Sequence, residues 1–202
     1  MKLFKNIKKW LENQEHLFYL FLLILIVPNI ILCFTEPMPV VAKVCNVLLP
    51  FAFYYLLMTL SRNCGKMFWI LFLFIFFGAF QIVLLYLFGQ SIIAVDMFLN
   101  LVTTNSSEAM ELLDNLVPAL VSVIILYIPA LILAAISIIK KRKLSPEFIR
   151  RERKKAWIAL LIGFISLGAA YGLDKRYELK SDLYPANVCY NVALAFQRNA
   201  QT

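Results

Sequence analysis

The residues best suited to chemistry lie in one polar stretch, residues 96–113, which reads DMFLNLVTTNSSEAMELL. Asn100, Thr104 and Glu108 follow one another at four-residue intervals, so on a single helix they would share a face. A carboxylate with amide and hydroxyl neighbours suits an ammonium group, which offers three hydrogen-bond donors and no acceptor. The spacing therefore indicates a polar pocket for a cationic head group.

The same stretch supports a second interpretation. Asn105 followed three residues later by Glu108 is a capping-box pattern, which predicts a new helix from Ser106. Glu108 would then lie in the first turn of that helix and satisfy a backbone N–H. Asn100 and Thr104 would belong to the preceding helix as surface polar residues. The residue pattern leaves both interpretations open.

Residues for metal chemistry are scarce in this chain. The only histidine is His16, and the four cysteines form no CxxC pair. A zinc or di-metal centre needs several His, Cys or carboxylate ligands that converge on one point. We therefore predict no catalytic residue, no metal site and no bound cofactor within these residues. Cys33 and Cys45 could pair, but free thiols are the favoured interpretation.

The composition requires a lipid environment. Hydrophobic residues make up 62% of 202 and charged residues 16%, against about half and a quarter in a soluble domain. The apolar residues form five runs, each long enough to cross a hydrocarbon core of about 30 Å. The sequence predicts an all-α polytopic membrane protein with five transmembrane helices, at residues 17–34, 44–60, 67–88, 116–139 and 156–173.

The positive charges predict the orientation of these helices. Fifteen of the 20 Lys and Arg residues lie in the N-terminal segment and the loops on its side of the membrane, and five lie opposite. Trp10, Trp69 and Trp157 all fall at the Lys- and Arg-rich boundary. Basic loops stay in the cytoplasm and tryptophans prefer the interface, so the N-terminus is predicted inside and the C-terminus outside. The net charge of +8 thus reflects the membrane, not nucleic acid.

The chain is predicted to divide into a membrane domain and a C-terminal segment. Residues 1–173 are the predicted five-helix domain, which includes an outer-face loop at 89–115 without Lys or Arg. Residues 174–202 form an extracytoplasmic segment in which Tyr184, Val188, Val192 and Phe196 make an i, i+4 stripe. This segment and residues 1–16 are each predicted to form an amphipathic helix at the membrane interface.

The polar residues inside the apolar runs are few and uncharged. Asn29, Asn46 and Gln81 are predicted to form hydrogen bonds between helices. Proton-coupled transporters and pumps generally need ionisable groups at membrane depth, and their absence from the middle of the runs weakens a transporter interpretation without excluding it. Gly168 and Gly172 form a GxxxG pair, which permits close helix packing within the chain or in a dimer.

The run 95–113, VDMFLNLVTTNSSEAMELL, resembles the membrane domain of bacterial phosphoethanolamine transferases, the lipid A-modifying and mobile colistin-resistance enzymes. The family pattern is an Asn, a Thr four later and a Glu-Ala four after that, here Asn100, Thr104 and Glu108 with Ala109. The five helices and a C-terminal segment reading DLYPANVCYNVALAFQ are also similar. Where the family commonly has Pro two residues before the Glu, this chain has Ser106.

The resemblance implies a phosphoethanolamine transferase in the bacterial inner membrane. Such enzymes move phosphoethanolamine from phosphatidylethanolamine to lipid A or a related glycan at the outer face, and they underlie polymyxin resistance. Asn100, Thr104 and Glu108 would be the donor-binding residues. The family's chemistry belongs to a soluble zinc-dependent domain with a threonine nucleophile, expected here after Thr202. The present residues are therefore expected to bind the donor lipid and to be inactive alone.

A different class of protein remains as the alternative. The chain would then be a small membrane transporter or a scaffold protein whose acidic extracytoplasmic loop contacts a partner. A transporter predicts a water-accessible path with polar residues at mid-depth. A lipid site predicts a groove that opens sideways to the outer leaflet.

Overall fold

The computed structural model describes residues 2–88 and 106–199. All secondary structure in these two ranges is helical. The helices are α1 (Lys2–Glu12), α2 (Gln14–Thr35), α3 (Val40–Met58), α4 (Cys64–Ile70), α5 (Phe72–Phe88), α6 (Ser106–Ile139), α7 (Pro146–Leu173), α8 (Leu179–Asp182) and α9 (Ala186–Asn199).

Four helices in the described ranges are long and apolar enough to cross a membrane: α2, α3, α7 and the 117–139 part of α6. Helices α4 and α5 meet at a bend of 62° and make a fifth span if the bent pair counts as one. The prediction of a helical membrane protein is confirmed at this level. The structure gives four or five spans where the sequence predicts five.

Two helices extend well beyond their apolar runs. Helix α6 begins at Ser106, where the capping-box pattern predicts a helix start, ten residues before the predicted span and inside the predicted loop 89–115. Helix α7 begins at Pro146, because the Ser145 hydroxyl caps it by accepting a hydrogen bond from the Phe148 N–H at 3.1 Å. Much of the basic segment 140–155 is therefore helical and continuous with the last membrane span.

The bundle is built around α2, which contacts α3, α4, α5 and α6. Helix α7 packs mainly on α3 and is the most peripheral of the long helices. The close approach of α3 and α7 occurs at Gly163, where an added Cβ would lie 3.1 Å from the Leu49 Cα. Gly168 and Gly172 have open space on their faces, so within the described ranges the GxxxG pair mediates no packing.

Helix α4 lies tightly against α6. A Cβ added at Gly65 would lie within 2.3 Å of the Ala134 carbonyl oxygen. The Trp69 indole Nε1 donates a hydrogen bond to the Leu131 carbonyl oxygen at 3.2 Å. These contacts fix the short helix on one side of the 62° bend, and the chain turns into α5 after Leu71.

The helix directions give the bundle two chemically different ends. Ser137 and Gln14 are joined by a side-chain hydrogen bond of 2.5 Å, and the Arg62 Nε donates to the Leu144 carbonyl at 2.9 Å. These contacts bring the start of α2, the end of α6 and the start of α7 together at what we call the basic end. The opposite end, where residues 174–199 lie, we call the C-terminal end.

Candidate functional site

The predicted donor-binding residues fall largely outside the described ranges. Asn100 and Thr104 lie in the interval 89–105, which the structure does not describe. Glu108 lies in α6, two residues after the helix begins at Ser106, and its side chain is not described. The grouping of the three side chains remains a prediction.

The backbone does place Glu108 relative to the bundle. The apolar run that the sequence predicts within α6 begins at Leu116, eight residues further along the helix. At about 1.5 Å per residue, the Glu108 backbone lies about 12 Å beyond the start of that apolar run. Because α6 finishes at the basic end, its first turn lies at the C-terminal end. Helix α6 thus carries Glu108 past the apolar span, at the same end as residues 174–199.

Residues 174–199 are fastened to the bundle by a buried network that we call the C-terminal lock, formed by Asn29, Asn46, Tyr177, Asp182 and Tyr184. The Asn29 Nδ2 donates to the Tyr184 carbonyl at 2.7 Å and to the Asn46 carbonyl at 2.9 Å. The Asn46 Nδ2 donates to the Asp182 carbonyl at 2.7 Å. The Tyr177 hydroxyl donates to the Asn46 Oδ1 at 2.7 Å. The prediction that the two asparagines bond between helices is correct, and both also hold the C-terminal segment.

Tyr184 is the deepest part of this segment. Its side chain is 1% exposed, and its hydroxyl donates to the Phe74 carbonyl of α5 at 3.1 Å. Gly78 leaves the space for it, since an added Cβ would lie 3.2 Å from the Tyr184 hydroxyl. Burial raises the pKa of the Tyr184 hydroxyl well above its ordinary value, and burial also raises the pKa of Tyr177. Both hydroxyls therefore stay protonated and act as donors.

The predicted surface stripe is only partly on the surface. Tyr184 and Val188 are buried, Val192 is half-buried and Phe196 is 73% exposed. Helix α9 thus begins inside the bundle and finishes outside it. The start of the segment is thus covered by the bundle, and its position at the membrane interface remains a prediction.

A buried polar group adjoins the lock. Asn187 in the first turn of α9 is fully buried, and neither atom of its side-chain amide has a hydrogen-bond partner among the described residues. The Tyr127 hydroxyl of α6 is also buried without a hydrogen-bond partner among the described residues. Leaving such groups unsatisfied costs about 1–3 kcal/mol each. The C-terminal end of the bundle therefore holds polar atoms with unused hydrogen-bonding capacity.

The basic end carries a second polar arrangement, centred on Glu152 of α7. Its side chain is fully buried, and one carboxylate oxygen accepts hydrogen bonds from the Arg151 Nε at 2.9 Å and the Lys155 Nζ at 3.1 Å. The other oxygen accepts from the Tyr55 hydroxyl of α3. This carboxylate joins α3 to α7 where the two helices reach the basic end.

A cavity of about 400 Å³ also opens at the basic end. Four cationic side chains line it: Arg62, Arg150, Arg153 and Lys154, together with Pro146, Ile149 and Trp157. Arg153 is held by a hydrogen bond of 2.6 Å from its Nη2 to the Thr59 carbonyl. None of the four cations forms an ion pair with a carboxylate in the part of the chain that the structure describes.

Sequence reasoning missed Glu152 and the insertion of Tyr184. Glu152 is one charge within RRERKK, and that composition predicts an exposed basic segment. A usable signal is its spacing of four and eleven residues before Ala156 and Gly163, because small residues at helical spacing indicate a side of α7 that packs closely. Tyr184 had a weaker signal, the aromatic residue directly before Pro185.

Comparisons with known proteins return no match: no family model, no curated protein and no solved structure matches this chain. Among the described residues, no group of three or more His, Cys, Asp or Glu side chains is placed to hold a metal ion.

Proposed function

We propose that this chain is the membrane domain of a phosphoethanolamine transferase and that it binds phosphatidylethanolamine as the donor for transfer to lipid A or a related glycan. The resemblance of residues 95–113 to that family motivates the proposal. The structural observation that supports it best is the extension of α6, which carries Glu108 beyond the apolar span at the C-terminal end.

The chemistry of the donor suits a carboxylate on this polar extension of α6. The donor's ammonium group lies outside the hydrocarbon, and a carboxylate that reaches it can accept a charge-assisted hydrogen bond. Asn100 and Thr104 would bond head-group oxygens from the preceding segment. The role of the domain is positioning, which lets a freely diffusing lipid react as a held one.

The C-terminal lock suits an enzyme whose catalytic domain must be held near the donor lipid. A catalytic domain attached after Thr202, where zinc chemistry is expected, must work close to the donor. Asn29 and Asn46 tie the segment that leads to it to the same end of the bundle as Glu108. The proposed location is the bacterial inner membrane, with the N-terminus in the cytoplasm and the C-terminus in the periplasm.

The exposed face of α1 agrees with this placement. Leu3, Phe4, Ile7 and Trp10 are each at least 45% exposed in the structure, and lysines lie between them. A helix with this pattern buries its apolar face in the headgroup layer and directs its lysines to anionic lipid. With the proposed orientation, α1 would lie at the inner leaflet.

The proposal is tested by lipid binding to the full chain. Native mass spectrometry of the purified protein, titrated with dioleoylphosphatidylethanolamine or dioleoylphosphatidylcholine, measures the two affinities separately. We expect tighter binding of the ethanolamine lipid, because its ammonium donates hydrogen bonds and a trimethylammonium has no N–H to donate. Glu108→Gln should weaken binding of the ethanolamine lipid by about tenfold, as the loss of a charged hydrogen bond implies.

Asp114→Asn is the matched control. It removes one negative charge from the same helix, six residues on and turned by about 120° from Glu108. Its affinity for the ethanolamine lipid should stay at the wild-type value. Equal binding by wild type and Glu108→Gln, or equal binding of the two lipids by the wild type, would contradict the donor role.

A further inference from the structure

The cavity at the basic end concentrates positive charge without an anion to balance it. Arg62, Arg150, Arg153 and Lys154 line one space of about 400 Å³. The neighbouring carboxylate of Glu152 points elsewhere, since it is buried and already accepts hydrogen bonds from Arg151, Lys155 and Tyr55. Like charges this close repel one another, and the attraction of each cation to an anion in the cavity would offset that repulsion.

Two of these side chains are fixed before any ligand arrives. The Arg62 Nε donates to the Leu144 carbonyl at 2.9 Å, and the Arg153 Nη2 donates to the Thr59 carbonyl at 2.6 Å. Each guanidinium has five N–H donors, so each keeps further donors available after these bonds. Guanidinium groups bind phosphate oxygens with matching planar geometry. The cavity is therefore preorganised for a phosphate group.

The level of the cavity in the bundle indicates the source of that phosphate. Its last lining residue, Trp157, lies where the basic run of α7 gives way to the apolar run that begins at Ala156. Tryptophan at such a boundary marks the headgroup layer. Beyond it, on the same side of the helix, Leu161 and Ile165 are 63% and 65% exposed, and the face of Gly168 is open. An acyl chain can lie along this surface while its phosphate occupies the cavity.

We propose that this cavity is a binding site for an anionic phospholipid, with the headgroup phosphate held by Arg62, Arg150, Arg153 and Lys154 and the acyl chains lying along α7. Basic pockets at the membrane face of helical proteins bind anionic lipid head groups by this chemistry. The site is at the opposite end of the bundle from Glu108 and does not depend on the proposed donor site.

The test compares two double variants of the full chain. Arg150→Gln/Lys154→Gln removes two charges from the cavity, and neither side chain makes a hydrogen bond or ion pair that the structure describes, so the fold should persist. Lys141→Gln/Lys143→Gln removes two charges from the exposed loop next to it. Both variants change the net charge equally, so any difference between them reports the cavity.

The measurement is native mass spectrometry with dioleoylphosphatidylglycerol, with dioleoylphosphatidylcholine as the neutral reference. We expect the cavity variant to bind the anionic lipid about tenfold more weakly than wild type, and the loop variant to stay within about threefold. Arg150→Lys should retain binding, because it keeps the charge. Millimolar inorganic phosphate should displace little of the lipid.

Three results would overturn the proposal. Equal losses of affinity for the anionic lipid in the two double variants would show that positive charge attracts the lipid in general and that the cavity is not a binding site. Equal binding of the anionic and neutral lipids by the wild type would show that the cations hold no phosphate. Complete displacement by inorganic phosphate would identify a site for the free anion.

Discussion

One buried side chain, Glu152, joins α3 to α7 at the basic end. Glu152 is fully buried and is shared by donors from two helices, the Tyr55 hydroxyl of α3 and the Arg151 and Lys155 side chains of α7. A buried carboxylate is tolerated only where its charge is balanced and its lone pairs are used. The two cations are more than half exposed, so most of the structural value lies in the bond to Tyr55.

We therefore expect Glu152→Ala to destabilise the folded protein by about 1–3 kcal/mol, because it leaves the buried Tyr55 hydroxyl without an acceptor. Thermal unfolding in detergent, followed by intrinsic fluorescence, measures the change. Glu147→Ala is the control, since Glu147 is an exposed carboxylate in the first turn of the same helix. Equal melting temperatures for the two variants would show that the Glu152 network contributes no stability.

The sequence predicts some of these single-residue roles and not others. Asn29 and Asn46 are recognisable because an amide within an apolar run must find a partner. Their partners in residues 177–184 are not predictable, since no local pattern relates a helix near the start of the chain to one near its end. The burial of Glu152 is not predictable for a different reason. Its charged neighbours in the sequence predict a solvent-exposed side chain, and only the packing of α7 on α3 buries it.

At the scale of whole helices, the sequence again predicts some features and not others. Hydrophobic runs locate the spans well, because lipid requires about 20 apolar residues for each crossing. They do not locate the helix ends, since α6 and α7 each continue about ten residues into polar sequence. The Ser145–Pro146 start of α7 is a readable signal, because serine caps a helix and proline suits its first position. The bend between α4 and α5 has no proline and was not predictable.

The contact of α4 with α6 gives a prediction at this scale. Gly65→Ala should destabilise the protein by about 1–3 kcal/mol, because the new methyl group would meet the rigid Ala134 carbonyl oxygen at 2.3 Å. Gly168→Ala should be neutral or slightly stabilising, since its face is open and alanine favours a helix. Melting temperatures of the two variants in the same detergent provide the comparison. A Gly65→Ala protein as stable as Gly168→Ala would mean that α4 and α6 are not in close contact.

The molecule as a whole is polarised along its helix axes. One end carries the basic cavity and the exposed face of α1, and the other carries the C-terminal lock and the first turn of α6. Anionic lipid at one face and an ethanolamine donor at the other would match this polarity. The donor proposal therefore depends on the orientation that has the basic end in the cytoplasm.

Cysteine labelling tests that orientation directly. Cys189 in α9 is exposed at the C-terminal end, whereas Cys45 and Cys64 are buried and Cys33 is half-buried. A variant that keeps only Cys189 should react with a membrane-impermeant maleimide in intact spheroplasts, because basic loops are retained inside. A cysteine-free chain carrying Lys141→Cys in the exposed basic loop should react only after the membrane is permeabilised. The reverse pattern would place the first turn of α6 inside, and the proposed donor site would then face the wrong leaflet.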